Sequence, residues 1–314
     1  MIQAKSLSKR YGQKLALENL DMSVEAGTVL GFIGPNGAGK TTAMRMIAGA
    51  MPPSSGQISI CGLSMEDDPL GAKAFLGYLP ENAPLYQHTK VRHFLEFCAK
   101  MRGVHSSNLE KAVKIAAARC ALEAVMEEET DSLSKGFRRR VCLAQAIIHD
   151  PKALLLDEPT DGLDPIQKIQ IRSLIKELRQ GRAIIVSTHI LEELDAVCDR
   201  VMAIASGKLI FNGTLHEFKA AGSGFALEMA LSGKTLKELS QTFDKTLSVK
   251  SVELVSSEGN ACVVRLRVAD ACEETSCIDA IDAARAAGWH VDSCHQVSGG
   301  LDVVFASLIG RAAK

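Results

Sequence analysis

The sequence lacks an excess of charge of either sign. Among its 314 residues, 36 lysines and arginines nearly cancel 37 aspartates and glutamates, which leaves a formal net charge of −1. Proteins that bind nucleic acid through bulk charge normally carry a strong basic excess. We therefore expect no nucleic-acid partner.

Long hydrophobic runs are absent as well. The longest apolar stretches cover residues 141–148 and 153–156, whereas a membrane-spanning helix needs about 18–20 apolar residues. The first residues, from Met1 to Lys5, lack the apolar core of a signal peptide. These absences favour a cytoplasmic chain that reaches a membrane only through a partner.

The nine cysteines include no Cys-x-x-Cys pair. A scattered, odd set of cysteines in a cytoplasmic chain is best explained as reduced thiols used as small core residues. Four cysteines near the C-terminal end accompany two histidines: Cys262, Cys272, Cys277, Cys294, His290 and His295. Their spacing matches no zinc-binding pattern, so a metal site there is the less favoured alternative.

The strongest local signal is a glycine-rich segment between a strand-like run and a helix-like run. Residues 34–41 read GPNGAGKT, which fits the pattern G-x-x-x-x-G-K-[ST], and they follow the apolar residues 29–33. Glycines let the backbone curl so that successive N–H groups point at phosphate oxygens, and the helix N-terminus adds positive potential. The segment therefore predicts a site for the phosphates of a nucleotide.

Two side chains of this phosphate loop have separate tasks. Lys40 can reach the β- and γ-phosphates, and the hydroxyl of Thr41 can hold Mg²⁺. The nucleotide-contacting candidates of the segment are Gly34, Asn36, Gly37, Ala38, Gly39, Lys40, Thr41 and Thr42. The alternative is a glycine-rich turn without a ligand, and eight matched positions in the right context argue against it.

Two adjacent acids end a second apolar run. Residues 153–156 are all apolar and precede Asp157, Glu158 and Pro159, which is typical of a parallel strand buried on both faces and stopped by proline. Because neighbouring residues of a strand point to opposite sides, the two acids should differ in role. We expect Asp157 to hold Mg²⁺ and Glu158 to orient, or deprotonate, the attacking water.

His189 ends a third run, residues 182–188. Ligands of doubly wound parallel sheets bind at the carboxyl ends of the strands. The phosphate loop and both acids occupy equivalent positions, so all of these groups should converge on one γ-phosphate. Lys40, Glu158 and His189 are therefore the catalytic candidates.

Further motifs add a family resemblance. Residues 133–136 read LSKG and begin a helix-like run, and residues 161–165 read DGLDP. With the phosphate loop and the two acids, in this order, they resemble the ATP-binding cassette (ABC) ATPases over residues 1 to about 220. Within that family the chain is similar to exporter-type bacterial cassettes related to gliding-motility and multidrug or polysaccharide export ATPases.

The resemblance implies ATP and Mg²⁺ as cofactors and adds roles at matching positions. Tyr11 matches the aromatic residue that stacks on adenine, and His189 matches the switch histidine. Ser134 and Gly136 match the signature loop, which contacts the ATP held by the opposite subunit of a homodimer. Asp164 matches the loop that connects the two sites across that dimer.

The chain departs from the family pattern in two motifs. Lys135 and Phe137 replace a glycine and a glutamine of the usual signature. Glu81 stands where many cassettes have the glutamine that senses Mg²⁺ and the membrane partner. Its carboxylate is still an oxygen ligand, so Glu81 joins Thr41 and Asp157 as an expected metal ligand.

Three consecutive arginines, residues 138–140, follow the signature. Such a run can mark a nucleic-acid patch, but it begins a helix and has no interleaved aromatic residues. A solvated or dimer-facing helix end is the favoured interpretation.

The predicted fold is α/β, with a P-loop NTPase core of the ABC type at residues 1–220. Apolar positions at helical spacing predict a helical subdomain at about residues 85–150. Residues 225–314 should form a small α+β accessory domain. Its order is β-α-β-β-α-β, the ferredoxin-like order, with strands at 225–231, 249–255, 261–268 and 290–297 and helices at 235–243 and 273–287. Residues 300–308 resemble the terminal helix of exporter-type cassettes.

The sequence thus predicts an ATP-hydrolysing subunit of an ABC exporter. Two copies should close head-to-tail around two Mg-ATP and drive separate integral-membrane permease subunits from the inner face of the cell membrane. One alternative is a soluble ABC ATPase that acts on a macromolecule, although such relatives carry coiled-coil insertions or paired cassettes that are missing here. Another alternative is a nucleotide-binding regulator without a transport role.

Overall fold

The chain divides into two compact units, Met1–Leu215 and His216–Lys314. A computed structural model describes residues 1–82, 85–222, 226–233, 243, 249–259, 261–268, 273–297 and 301–312. Each unit has its own cluster of buried apolar side chains.

One sheet of the first unit is antiparallel, and its order is β2-β1-β4-β5. Its strands are β1 (Ile2–Tyr11), β2 (Lys14–Val24), β4 (Ser55–Ile60) and β5 (Leu63–Ser64). Strands β1 and β2 form a hairpin that closes between Tyr11 and Lys14. The alternation of buried and exposed residues along β2 turns one face of this sheet towards the core.

The second sheet has six strands in the order β10-β9-β3-β8-β7-β6. They are β3 (Val29–Ile33), β6 (Leu76–Leu79), β7 (Ala153–Asp157), β8 (Ala183–Thr188), β9 (Arg200–Ala205) and β10 (Lys208–Thr214). All neighbours from β9 to β6 are parallel. Every residue of β3, β7 and β8 is buried, as expected for parallel strands covered on both faces.

Helices lie between these strands. They are α1 (Lys40–Ile47), α2 (Pro69–Ala74), α3 (Val91–Met101), α4 (Leu109–Arg119), α5 (Lys135–Ile147), α6 (Pro165–Leu178) and α7 (Glu192–Val197), and α8 (Leu215–Gly222) leads into the second unit. Three of them begin at side-chain caps, and at α2 a carboxylate oxygen of Asp68 accepts from the N–H of Gly71. The Ser134 hydroxyl accepts from the N–H of Phe137, and a carboxylate oxygen of Asp164 accepts from the N–H of Gln167.

The second unit contains an antiparallel sheet in the order β12-β13-β11-β14. Its elements are β11 (Ala226–Ser232), β12 (Val249–Glu258), β13 (Ala261–Val268), α9 (Glu273–Ala286), β14 (His290–Val297) and α10 (Leu301–Ala312). The first strand therefore lies between the third and the fourth, which is the ferredoxin-like arrangement. The helix predicted at 235–243 falls, except for Phe243, outside the described residues.

The candidate metal-binding cysteines and histidines of this unit have different surroundings. Cys262 is buried in the core of the unit, and Cys294 packs against that core. Nδ1 of His290 lies 3.0 Å from Oδ1 of Asp292, and Nε2 of His295 lies 3.8 Å from Oε1 of Glu228. Cys272 and the side chain of Cys277 lie outside what the structure describes. His290 and His295 thus face carboxylates, while Cys262 and Cys294 serve as core side chains.

Among the residues that the structure describes, no helix combines the length and the apolar character needed to cross a membrane.

Candidate active site

Four strand ends meet at one edge of the six-stranded sheet. Strands β3, β8, β7 and β6 are consecutive parallel neighbours, and the register pairs Ile33 with Thr188 and Asp157 with Ser187. The segments that follow these strands therefore leave the sheet on the same side and at the same height. This edge is where ligands of parallel α/β sheets bind.

The phosphate loop joins β3 to α1, and two of its glycines have left-handed backbone angles. Gly37 has φ 78°, and Gly39, directly before α1, has φ 109°. A Cβ atom on Gly39 would lie 2.6 Å from the carbonyl oxygen of Ala16 in β2. Only glycine meets both the angle and the close approach at this position, so the loop can wrap tightly against the β1–β2 hairpin.

Lys40 crosses the loop from the first residue of α1. Its ammonium group donates to the carbonyl oxygen of Gly34 at 2.6 Å, and the residue is only 7% exposed. Burial lowers the pKa of Lys40, and the carboxylates of Glu158, Asp157 and Glu81 partly offset this effect. The Lys40 ammonium group is thus held by backbone carbonyl oxygens close to the three acids.

Asp157 is the last residue of β7, and only one of its two carboxylate oxygens accepts a hydrogen bond from the described residues. The Ser187 hydroxyl donates to Oδ1, whereas the buried Oδ2 has no hydrogen-bond partner among the described residues. Burial raises the pKa of Asp157, against the opposite effect of the Ser187 hydrogen bond. A buried carboxylate oxygen without a partner is costly, and a cation would remove that cost.

Thr41 and Glu81 place two further oxygen atoms at this edge. The Thr41 hydroxyl lies 3.4 Å from Oε2 of Glu81, and the charge of Glu81 is close enough to act on both Asp157 and Lys40. Carboxylate and hydroxyl oxygens are the donors that Mg²⁺ prefers. The three residues therefore fit a magnesium ion.

Glu158 does not continue the strand, in contrast to the expected alternation of the two acids. Strand β7 ends at Asp157, and Glu158 has a left-handed φ of 52°. Its N–H donates to the carbonyl oxygen and to the hydroxyl of Ser187, both at 3.1 Å. A sharp backbone turn, held by the neighbouring strand, therefore separates the two carboxylates; such left-handed angles are unfavourable for residues other than glycine and persist where the surroundings enforce them.

His189 contacts the carboxylate of Glu158 directly. Nδ1 of His189 lies 2.9 Å from Oε2 of Glu158, and the imidazole is half exposed while the carboxylate is mostly buried. A histidine in this position can orient a neighbouring carboxylate and still present its other ring nitrogen to a ligand.

Tyr11 lies at the tip of the β1–β2 hairpin, which also supplies Ala16 against Gly39. Its ring is 46% exposed, its hydroxyl contacts the sulfur of Met51 at 2.9 Å, and the ammonium group of Lys9 lies 5.5 Å from the ring centre. An exposed ring on the hairpin that approaches the phosphate loop at Gly39 offers a surface on which a base can stack.

The signature loop contacts the segment after Glu158 instead of the phosphate loop. Lys135 forms an ion pair with Asp161 at 2.9 Å, and a Cβ atom on Gly136 would lie 2.5 Å from the side-chain oxygen of Gln167. Within the described residues, no hydrogen bond joins Ser134 or Gly136 to residues 34–41. Ser134 and Asp164 are both exposed.

Known proteins are similar to this chain in sequence. The family model for the ABC transporter matches residues 17–161. The uncharacterized ABC transporter ATP-binding protein YhcH of Bacillus subtilis is 36% identical over 213 residues, which are 67% of this chain and 68% of YhcH. The Nod factor export ATP-binding protein I of Burkholderia lata is 36% identical over 220 residues, 68% of this chain and 71% of the relative.

The chain belongs to the ABC transporter ATP-binding proteins. As such it is an ATP hydrolase. A dimeric structure of the bacterial ABC transporter cassette MJ0796 aligns with a TM-score of 0.64 at 23% identity, over 68% of this chain and 99% of that one, and shows the same fold. The predicted ABC-type α/β core is therefore confirmed.

One expectation about this ABC ATP-binding protein is wrong for two of the three residues it covers. In the arginine run after the signature, Arg138 is exposed, as expected of a solvated helix end. Arg139 and Arg140 are only 5% and 6% exposed and do not belong to a solvated or dimer-facing surface. Arg140 donates to the side-chain oxygen of Gln170 in α6 at 2.5 Å and lies over the ring of Phe137. Arg139 points towards the edge of the six-stranded sheet where Asp157 and Glu158 lie.

Sequence reasoning missed Arg139 because arginine usually marks a surface. A signal was nevertheless present, since the buried side of α5 repeats at helical spacing through Gly136, Arg139, Leu143 and Ala146. Ser187 was also missed as a partner of Asp157. Its place is set by the pairing of β7 with β8, which the sequence alone does not reveal.

Proposed function

We propose that this chain is the ATP-hydrolysing subunit of an ABC exporter, which acts as a head-to-tail homodimer around two Mg-ATP and drives separate permease subunits at the cytoplasmic face of the membrane. The observation that carries the proposal is the meeting of Lys40, Asp157, Glu158 and His189 at one sheet edge. Residues 1–220 form the nucleotide-binding domain, with a helical subdomain at about 85–150, and residues 225–314 form the accessory domain.

Residues of the phosphate loop and its neighbours hold the nucleotide. Backbone N–H groups of residues 34–42 bind the phosphates, and the Lys40 ammonium group exchanges the Gly34 carbonyl for phosphate oxygens. Tyr11 stacks on the base. Thr41, Asp157 and Glu81 hold Mg²⁺, which would neutralise charge on the phosphate oxygens.

Glu158 orients the attacking water and accepts its proton. The left-handed turn lifts its carboxylate out of the strand, and the hydrogen bonds from its N–H to Ser187 fix the backbone at that point. His189 holds the carboxylate and contacts the γ-phosphate. Positioning and charge stabilisation of this kind supply most of the catalysis of phosphoryl transfer.

The separation of the signature loop from residues 34–41 supports a dimer. Ser134 caps α5 with an exposed hydroxyl, and a second copy can bring its phosphate loop to this exposed helix start. Asp164, at the start of α6, would lie on the same proposed contact surface between the two copies. The dimeric cassette that shares the fold is a precedent for this arrangement.

An aromatic cluster beside the Glu81 segment supports a permease partner. Tyr86 is 61% exposed, and its ring stacks edge-on against Phe94 and Phe97 at centre distances of 6.0 and 5.6 Å. Exposed apolar patches next to polar residues mark protein contacts, and this one adjoins α3 and the segment that bears Glu81. A short helix of a permease is the proposed partner of this patch. Export as the direction of transport is supported by the Nod factor export relative.

Affinity purification of the full chain from native membranes tests the transport role. We expect a multi-spanning membrane protein to co-purify, and we expect the paired change Tyr86→Ala and Phe97→Ala to release it while leaving basal ATP hydrolysis unchanged. The matched control is Ile115→Ala on α4, which removes another exposed apolar side chain. Recovery of a nucleic acid or a ribosome in place of a membrane protein would support the soluble macromolecule-acting alternative, and recovery of neither would favour a regulator.

The accessory domain is proposed to regulate or stabilise the dimer. Deletion of residues 225–314 should then change dimerisation, permease binding or the ATPase rate. Unchanged values for all three would contradict this role.

A further inference from the structure

Arg139 spans two backbone segments with one side chain. Its Nη1 donates to the carbonyl oxygens of Pro80 at 2.7 Å and Glu81 at 2.6 Å. Its Nη2 donates to the carbonyl oxygen of Glu158 at 2.5 Å and also to that of Asp157. Each terminal nitrogen thus serves one segment, and the guanidinium plane forms a bridge between them.

This bridge requires arginine. A guanidinium group is planar and directs its donors in a fixed fork, whereas a lysine ammonium is a single point that cannot reach both pairs of carbonyls. No carboxylate of the described residues lies within ion-pair distance of Arg139, so its direct partners are four carbonyl oxygens, and the carboxylates of Asp157, Asp161 and Glu158 act on it from farther away. Burial lowers the pKa of Arg139, and an apolar side chain of similar size would avoid this cost.

The two bridged segments carry groups with separate tasks. The first presents the Glu81 carboxylate to Thr41, and the second contains the turn at Glu158. Because Ser187 holds the N–H of Glu158 and Arg139 holds its carbonyl oxygen, the left-handed residue is fixed from both sides. The N–H of Asp161, within the same turn, also donates to the carbonyl oxygen of Glu158, at 3.1 Å. Among the described hydrogen bonds to this oxygen, only the one from Arg139 comes from α5.

The third segment is α5 itself. Arg139 lies in its second turn, after Ser134, which begins the helix, and Gly136. A shift or rotation of the helix start therefore acts, through one rigid fork, on the backbone of both other segments.

We propose that Arg139 is a positioning residue that couples the signature-bearing start of α5 to the Glu81 segment and to the turn at Glu158, so that the three move as one unit. This inference rests on the proposed function, because it takes the roles of Glu81 and Glu158 from there. It predicts that Arg139 affects the rate of the chemical step much more than the binding of ATP.

The test compares Arg139→Lys and Arg139→Met with the parent in the full chain. We expect kcat for ATP hydrolysis to fall by about 10²-fold, the typical effect of a displacement of about 1 Å at a reacting group, while the Kd for ATP and the melting temperature stay close to those of the parent. Amide hydrogen exchange of the folded variants should become faster in residues 79–82 and 157–159 together.

Two arginines provide matched controls. Arg182 also donates to backbone carbonyls, those of Pro151 and Leu178 at 3.0 and 3.1 Å, but it lies before β8 at the opposite end of the sheet. Arg140 is a second buried arginine of α5 and contacts Gln170 instead. Arg182→Lys and Arg140→Lys should keep the parental kcat.

Three results would overturn the inference. Parental kcat in both Arg139 variants would show that the bridge is not needed, and a loss of ATP binding and melting temperature in step with kcat would show a role in folding alone. Faster exchange in only one of the two segments would show that they are not coupled. A parent without ATPase activity would instead overturn the proposed function itself, whereas an active parent that is stopped by Glu158→Gln keeps that function in place whatever Arg139 does.

Discussion

The ammonium group of Lys135 lies 2.9 Å from Oδ2 of Asp161. Lys135 occupies the position of a signature glycine in related cassettes, and its partner belongs to the segment that follows Glu158. Its side chain also passes Gly162, where φ is 71° and a Cβ atom would lie 2.4 Å from the ammonium nitrogen. The departure from the usual signature is therefore accompanied by a partner and by space for the longer side chain.

This ion pair should contribute little to stability. The two side chains are 69% and 51% exposed, and exposed pairs are typically worth about 0–1 kcal/mol. A double-mutant cycle with Lys135→Met and Asp161→Asn, measured by denaturant unfolding, should give a coupling of that size, which decreases further at high salt. A coupling of several kcal/mol, unchanged by salt, would contradict the exposed position of the pair.

His149 should make stability depend on pH between neutrality and pH 4. Its Nε2 is 3.2 Å from the carbonyl oxygen of Leu76, and burial, with a smaller effect of Arg102, lowers the pKa of His149 to about 4. A histidine with a depressed pKa contributes stability above its unfolded pKa of about 6.5, and this contribution is lost as the pH falls towards the folded value.

Unfolding of His149→Gln at several pH values tests this dependence. Between pH 6.5 and pH 4 the slope of the unfolding free energy should be smaller than in the parent by about 1.4 kcal/mol per pH unit, which corresponds to one proton. His93→Gln, on the exposed side of α3, is the control and should keep the parental slope. Equal slopes for parent and His149→Gln would show that His149 does not cause the dependence.

Much of the fold is readable from local sequence. The phosphate loop can be predicted from the sequence because glycine, lysine and threonine are needed at fixed spacing between a strand and a helix. The structure has β3 and α1 on either side of it. The uninterrupted apolar run of β7 likewise predicts a strand buried on both faces. In the second unit, the alternation of apolar residues along β11 and β13 is enough to predict strands with one buried face.

The missed features depend on contacts between distant parts of the chain. Arg139 and the carbonyl of Pro80 are 59 positions apart in sequence, so no local pattern separates this arginine from a solvated one. The left-handed turn at Glu158 is imposed by Ser187 on the neighbouring strand, and the sequence alone suggests ordinary strand alternation. Register and strand order decide both features.

Asp157 should lower the stability of the metal-free protein. Burial raises the pKa of Asp157, so stability is greatest below the unfolded pKa of about 3.9 and falls as the pH rises through the higher folded value. At neutral pH the change Asp157→Asn should therefore raise the melting temperature, by about 2–4 °C for each kcal/mol gained, because Ser187 can still donate to the amide oxygen.

The same change should abolish magnesium-dependent ATP hydrolysis, since the amide cannot replace the buried carboxylate. Calorimetry in the presence of a chelator, together with an ATPase assay, measures both effects. Asp67→Asn, an exposed acid in the segment before α2, should alter neither. A lower melting temperature for Asp157→Asn would mean that the carboxylate is stabilised by its surroundings rather than held for a cation.

Glu158 is expected to position and deprotonate water at a γ-phosphate held by this sheet edge. The most direct test of this expectation is single-turnover ATP hydrolysis by Glu158→Gln, with Glu192→Gln on the exposed start of α7 as the control. The amide keeps the size of the side chain but cannot accept a proton, so hydrolysis should slow by about 10²–10⁴-fold, with ATP binding retained and a Mg-ATP-dependent dimer accumulating. Hydrolysis by Glu158→Gln at the parental rate would contradict the account.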